Sequence, residues 1–117
     1  MNFDNLLAPG RIGKLSLRNR IVMSPMGSNL SEPDGHCSER IQAYYEARAR
    51  GGAGMIIVGV AAIAWPEGAC NPNQVAISGD EFLPGLSALA RRVKRHGCAA
   101  AIQLQHAGKV AVRDIVA

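Results

Sequence analysis

The chain has little aromatic content: Phe, Tyr and Trp make up 4% of its 117 residues. Its one dense basic cluster, Arg91-Arg92-Val93-Lys94-Arg95-His96, has no aromatic residue interleaved with it. Base-stacking surfaces need such aromatics, so the net charge of +4 does not point to a nucleic-acid partner. Cysteine is also sparse. Cys37, Cys70 and Cys98 form no C-x-x-C pair and leave one thiol over in any disulfide scheme, which favours reduced thiols in a reducing compartment. Long hydrophobic runs are missing as well. The longest nearly apolar stretch, Ala53 to Trp65, is broken by glycine and falls short of the roughly 20 apolar residues of a membrane span. Met1-Asn2-Phe3-Asp4 opens with no basic and apolar leader, so a cytoplasmic location is expected.

What is present reads as a soluble α/β chain, with 48% hydrophobic and 19% charged residues. Ala8-Pro9-Gly10 followed by Ile12 to Leu17 suggests a turn and a short ribbon. Ile21 to Met26 reads as a first strand stopped by Pro25. Ser38 is placed to cap a helix in which Ile41, Tyr45 and Ala49 recur every four residues before Gly51-Gly52. The apolar, β-branched segment Ala53 to Val60 reads as a second strand covered on both faces. Asp80 precedes a second helix with Phe82, Leu86, Leu89, Ala90 and Val93 on one stripe, ended by Gly97. The basic cluster falls in its last turn, where it suits the helix dipole and is expected to be a solvated face. Ala99 to Leu104 makes a third strand, leading into Gln105-His106-Ala107-Gly108-Lys109.

Strand, helix, strand, helix, strand begins two architectures. A doubly wound dinucleotide fold places G-x-G-x-x-G after its first strand. Here Ser24-Pro25-Met26-Gly27 stands there instead. Gly108-Lys109-Val110 lacks the Ser or Thr and the upstream glycine of a P-loop. The pattern therefore favours a (β/α)8 barrel, whose sites form at the C-terminal ends of the strands. Ser24 to Gly27, Val60 and Gln103 lie at those ends. Gln103 is the least expected of them, because an amide among apolar neighbours needs partners for both its donor and its acceptor.

Several features read as structural. Tyr44 and Tyr45 are expected to be packing residues, and His106 a loop residue with a lesser prospect of polarising a bound group. His36-Cys37 lacks the second ligand pair of a metal site and the surroundings of a nucleophile.

A larger set of residues carries a family signature. Phe3 with Pro9 and Ile12-Gly13, Leu17-Arg18-Asn19-Arg20-Ile21-Val22-Met23-Ser24-Pro25-Met26, Tyr44-Tyr45, Arg48-Ala49, Gly52, Ile56-Ile57-Val58 and Gln103-Leu104-Gln105-His106-Ala107-Gly108 occur in register over nearly the whole chain. Together they resemble the N-terminal part of the Old Yellow Enzyme family of FMN-dependent oxidoreductases. The Met26-Gly27-Ser28-Asn29-Leu30 loop with Pro33-Asp34-Gly35 is most similar to the branch of dienoyl-CoA reductases, enoate reductases and trimethylamine dehydrogenase.

The resemblance implies the N-terminal portion of a (β/α)8 TIM barrel, about barrel strands one to three, preceded by a β-ribbon. Residues 1–117 would then be a fragment of one FMN-binding domain whose remainder lies outside this sequence. It implies FMN held by Ser24, Pro25, Met26, Gly27, Val60 and Gln103, with Gln103 on the pyrimidine edge of the ring. It further implies NAD(P)H as reductant and a small unsaturated substrate; composition adds the expectation of no nucleic-acid or membrane partner, and a homo-oligomer is one open arrangement. Members of that branch often add a 4Fe-4S cluster and an FAD-binding domain downstream. Catalytic residues and the phosphate loops belong to later strands, beyond residue 117.

Three positions depart from the family pattern. Gly27 and Asn29 stand where some members have a cysteine and a tyrosine, and Lys109 replaces an arginine whose planar fork it cannot reproduce. Two other readings stay open: a non-catalytic chain that covers its open sheet by self-association, and a barrel that binds a phosphorylated metabolite without flavin.

Overall fold

The computed structural model describes residues 2–111. A short helix α1 (Asp4–Leu7) leads into an antiparallel hairpin, β1 (Gly10–Ile12) and β2 (Leu15–Leu17), with Gly10 opposite Leu17. The parallel sheet follows: β3 (Val22–Met23), β4 (Met55–Ala62) and β5 (Ala99–Gln105), in the spatial order β3-β4-β5. Helix α2 (Glu39–Arg50) connects β3 to β4, and α3 (Leu83–Lys94), entered through a 3₁₀ turn at Asp80–Phe82, connects β4 to β5. No helix among the described residues is long and apolar enough to cross a membrane.

The two helices start and stop where their residues dictate. The Ser38 hydroxyl accepts from Ile41 N at 3.1 Å and so satisfies one of the free amides of the first turn of α2. Beyond the last turn, Gly52 takes a φ of 111°, a conformation that only glycine adopts readily. Helix α3 accommodates Pro84 because it lies at the helix start, where its missing N–H costs no hydrogen bond.

Both helices pack on one face of the sheet. Ile41, Tyr45 and Ala49 of α2 and Leu89 and Val93 of α3 meet Ile56 and Val58 of β4 in a single core, with Ala100 and Ile102 of β5 at its margin. Tyr45, Ile56 and Val93 are 0% exposed. Leu86 and Ala90, which share the apolar stripe of α3, are only half buried. They line an apolar groove of about 270 Å³ along β5, where no further described element covers the helix side of the sheet. The opposite face is more open, and Val22 is exposed there.

Two sequence expectations need correction, and two segments hold structure that the sequence did not announce. The first strand is confined to Val22–Met23, because Pro25 lacks an amide to continue the ladder. The opening segment contains the helix Asp4–Leu7, too short to leave a periodic signature. The basic cluster is not simply solvated: Arg92 pairs with Glu39 at 2.6 Å, and both Arg95 and His96 bond Glu46 of the neighbouring helix. The segment between β4 and α3 is partly buried against the sheet. Gln74, Val75 and Ala76 are buried, and Ala76 bridges to Ala62 at the end of β4.

Candidate functional site

The C-terminal ends of β3, β4 and β5 lie side by side, and this edge carries the six residues singled out in the sequence. Three parallel strands span about 10 Å from the first to the third. After Met23 the chain leaves the ladder through Ser24 and Pro25, and Gly27 then bridges to Gly59 of β4. Ser24 and Gly27 are exposed, Pro25 is half-buried, and Met26 is 48% exposed.

The approach of this loop to β4 is close. A Cβ on Gly59 would lie 2.6 Å from Pro25 Cβ and 2.7 Å from Met26 N. Only glycine allows that contact. On the far side, a Cβ on Gly27 would come within 3.0 Å of Asn71 Nδ2, so the loop is held between β4 and the segment that follows it.

The ladder between β4 and β5 slips at the same level. Val58 pairs with Ile102 and Ala61 with Leu104, so Gly59 and Val60 together face Gln103. Two residues opposite one is a β-bulge, a device that re-aims side chains beside functional sites. Val60 is half-buried in this bulge.

Gln103 corrects the expectation of a buried amide. Ala100 and Ile102 pack against the core, so by strand alternation Gln103 points to the opposite, open face. It is exposed, and its amide makes no hydrogen bond among the described residues. Its apolar neighbours Ile102 and Leu104 belong to the other face of the strand.

A second set of residues, for which the sequence suggested no bracing role, holds this edge. Asn29 adopts a φ of 55° and its Oδ1 accepts from Asn73 N at 2.8 Å, while Ser31 N donates to Asn73 O at 3.0 Å. Buried Gln74 donates from Nε2 to Gln105 Oε1 at 2.8 Å and accepts from Cys70 N at 2.9 Å. These contacts bind the loop after β4 to the loop after β3 and to β5. A sequence shows only that Asn and Gln are there, not that residues 31 and 44 positions apart meet.

The remaining candidates lie elsewhere. His106 Nδ1 accepts from Gly108 N at 3.1 Å, a local turn contact. Cys37 abuts the start of α3 at Gly85, and burial pushes its thiol up to about 11, against a weaker opposing pull from Arg92. Such a thiol is a poor nucleophile at neutral pH. His36 packs its ring on Phe82 at a centroid distance of 4.9 Å. No cluster of three potential metal ligands occurs among the described residues.

The site is therefore uncharged, with an apolar and backbone floor at Pro25 to Gly27 and Val60 and one free amide at Gln103. It can seat a flat group that presents an apolar face and a polar edge, and it contains no acid or base of its own. A strand-end site on parallel strands whose helices share one face is the arrangement of a (β/α) barrel enzyme.

The chain belongs to the NADH:flavin oxidoreductase / NADH oxidase family, whose sequence model matches residues 5–117. It is 43% identical over 108 residues to the NADH oxidase of Thermoanaerobacter brockii, a match that covers 92% of this chain and 17% of that protein. Its fold superimposes on the 2-naphthoyl-CoA reductase complex with a TM-score of 0.91 at 25% identity, over 95% of this chain and 17% of that one. The old yellow enzyme of Trypanosoma cruzi gives a TM-score of 0.84 at 26% identity, over 97% and 30% of the respective chains. The chain thus spans less than a third of each of these proteins. Its fold is the first part of a (β/α)8 barrel preceded by a β-ribbon, as its sequence led us to expect.

The residues present fit a flavin. An isoalloxazine ring has an apolar face and a pyrimidine edge that both donates and accepts, and the unpartnered amide of Gln103 offers both functions on the open face of the sheet.

Proposed function

We propose that residues 1–117 form the N-terminal part of an FMN-binding barrel domain in an NAD(P)H-dependent oxidoreductase acting on small electron-poor alkenes. The observation that carries this reading is the free amide of Gln103, set opposite the Gly59–Val60 bulge and on the same strand-end edge as the Pro25–Gly27 loop. An exposed glutamine with no partner among the described residues, on a face of the strand away from the core, is a group left for a ligand.

When bound, FMN supplies the hydride chemistry between NAD(P)H and the alkene. The residues of this chain bind and orient. Gln103 holds the pyrimidine edge, and Pro25, Met26, Gly27 and Val60 pack under the ring or present backbone to it. Ser24 stands at the rim. None of the six ionises, so none of them is assigned the proton delivered to product. The T. brockii relative supports a longer protein: 108 residues are 17% of it, which makes it roughly 640 residues against about 250 for a barrel. In a protein of that length around this segment, we place the iron–sulfur and FAD domains that the family resemblance implies after the barrel. The free thiols and the nicotinamide reductant suit a cytoplasmic enzyme.

The test is to express the complete reading frame that contains this segment and record its visible spectrum with and without added FMN. We expect a flavin band that co-purifies, and NAD(P)H oxidation stimulated by a cyclic enone. A protein that stays colourless in excess FMN overturns the reading. A flavin-bound protein that ignores enones overturns the substrate class alone.

A further inference from the structure

Tyr45 sits at the centre of the core and is 0% exposed, which marks it first as a packing residue. Its hydroxyl does something that packing does not require. It donates to Gly59 O at 3.2 Å and accepts from Gly59 N at 3.1 Å, so one phenol engages both polar groups of one peptide residue. Gly59 is itself buried and is the first of the two bulged residues that face Gln103. A bulge disrupts the ladder locally, and buried backbone groups left without partners cost free energy. The phenol supplies those partners from a helix fourteen residues earlier in the chain.

We propose that Tyr45 is a positioning residue for the cofactor floor: its hydroxyl holds the Gly59–Val60 bulge open and thereby fixes where Val60 and Gln103 stand. This rests on the flavin reading of the same strand ends. The physical reason is the burial of Gly59. Without the hydroxyl, its N–H and C=O lose the partners that the phenol gives them, and the bulge must shift for them to regain any. Val60 and Gln103, which face each other across that bulge, would shift with it. Burial raises the Tyr45 phenol above its ordinary pKa, so it keeps the proton it donates throughout the neutral range.

Tyr44 supplies the control. It touches Tyr45 edge-on at 5.1 Å and carries Arg48 at 3.6 Å over its ring, but its hydroxyl makes no hydrogen bond among the described residues.

The experiment compares Tyr45→Phe and Tyr44→Phe in the complete protein, by FMN titration, by amide hydrogen exchange at Gly59 in the flavin-free form, and by far-UV circular dichroism. Tyr45→Phe should keep the fold, speed exchange at Gly59 by about tenfold and weaken FMN by about tenfold, the worth of one hydrogen bond. Tyr44→Phe should change neither. Wild-type FMN affinity in Tyr45→Phe, with or without faster exchange, overturns the positioning role. So does a Tyr45→Phe protein that cannot fold, because the hydroxyl would then be part of the core's stability and not of the site's geometry. Failure of the wild type to take up FMN overturns the proposed function, and the positioning role falls with it. A wild type that binds FMN while Tyr45→Phe binds equally well overturns only the positioning role.

Discussion

The guanidinium of Arg18 donates from Nη2 to Ala49 O at 2.7 Å, closing the end of α2 from a residue just past the β1–β2 hairpin. The same side chain reaches His96 O at 2.6 Å beyond the end of α3, and Ala53 O at 2.8 Å before β4. One planar fork thus ties the hairpin to the C-terminal ends of both helices, where free carbonyls and the negative end of each dipole favour a cation. Arg18→Ala should destabilise the protein by about 2 kcal/mol, as expected for charge-assisted bonds at a partly solvated position. Arg18→Lys should recover less than half of that, because a single ammonium cannot match the fork. Urea denaturation of the complete protein checks both; full rescue by lysine would show that charge alone matters there.

Gly59→Ala should disturb the site directly. The new methyl would meet Pro25 Cβ at 2.6 Å and Met26 N at 2.7 Å, a ring atom and a backbone atom with little freedom to yield. Overpacking of this kind costs about 1–3 kcal/mol. The loop must shift off β4, so FMN affinity should fall together with stability. Thermal unfolding and flavin titration on the one variant test this, and an unchanged affinity would mean that the loop position does not matter to the ring.

Helices and strands were legible because their signals are local. Ser38, the Ile41–Tyr45–Ala49 spacing and the apolar run through Ile56 to Val58 each report on their own element, and the family signature placed them in a barrel. The site was legible as a set of strand-end residues, but not its bracing. Tyr45 read as packing because periodicity registers the ring and not the hydroxyl. Gln74 lay in a stretch with no period, yet it is buried and joined to Gln105. Gln103 read as buried because its sequence neighbours are apolar, although alternation puts those neighbours on the opposite face. The Tyr45 and Gln74 misses concern contacts between residues far apart in the chain, which composition and spacing do not encode; the Gln103 miss is local, a matter of which face of the strand its own alternation gives it.

Gln103→Leu separates fold from ligand. The side chain is exposed and unpartnered, so removal of its amide should change stability by no more than about 0.5 kcal/mol. FMN affinity should drop by about tenfold or more, because the polar edge of the ring loses a paired donor and acceptor. Equal affinity in the variant would place the pyrimidine edge elsewhere.

Gln74→Leu should behave in the opposite way. Gln74 is 3% exposed and its loss strands both Gln105 Oε1 and Cys70 N. Leaving such partly buried groups unsatisfied costs about 1 kcal/mol, the low end of the range for buried ones. The loop after β4 should loosen first, visible as faster amide exchange at Cys70 to Ile77 while α2 stays protected; uniform loss of protection would make Gln74 a global core residue instead.

The junction between the helices carries a pH dependence whose sign follows from Glu46. Hydrogen bonds from His96 and then Arg95, with the charges of Arg95 and Arg92 behind them, pull its carboxyl down to about 2 from an ordinary 4.5. A carboxyl whose pKa is lower in the folded state binds its proton more weakly there than in the unfolded chain. Its stabilising contribution is complete above about pH 5 and is lost as the pH falls through 4.5 toward 2. The wild type should therefore lose stability relative to Glu46→Gln across that acid window, while at pH 7 the wild type is the more stable. Glu39 pairs with Arg92 on the same face, so Glu39→Gln serves as the comparison for a single exposed pair and should shift the acid limb less. Urea midpoints at intervals from pH 7 to pH 3 decide it, and parallel curves for wild type and Glu46→Gln would show that the α2–α3 charge cluster contributes nothing to stability.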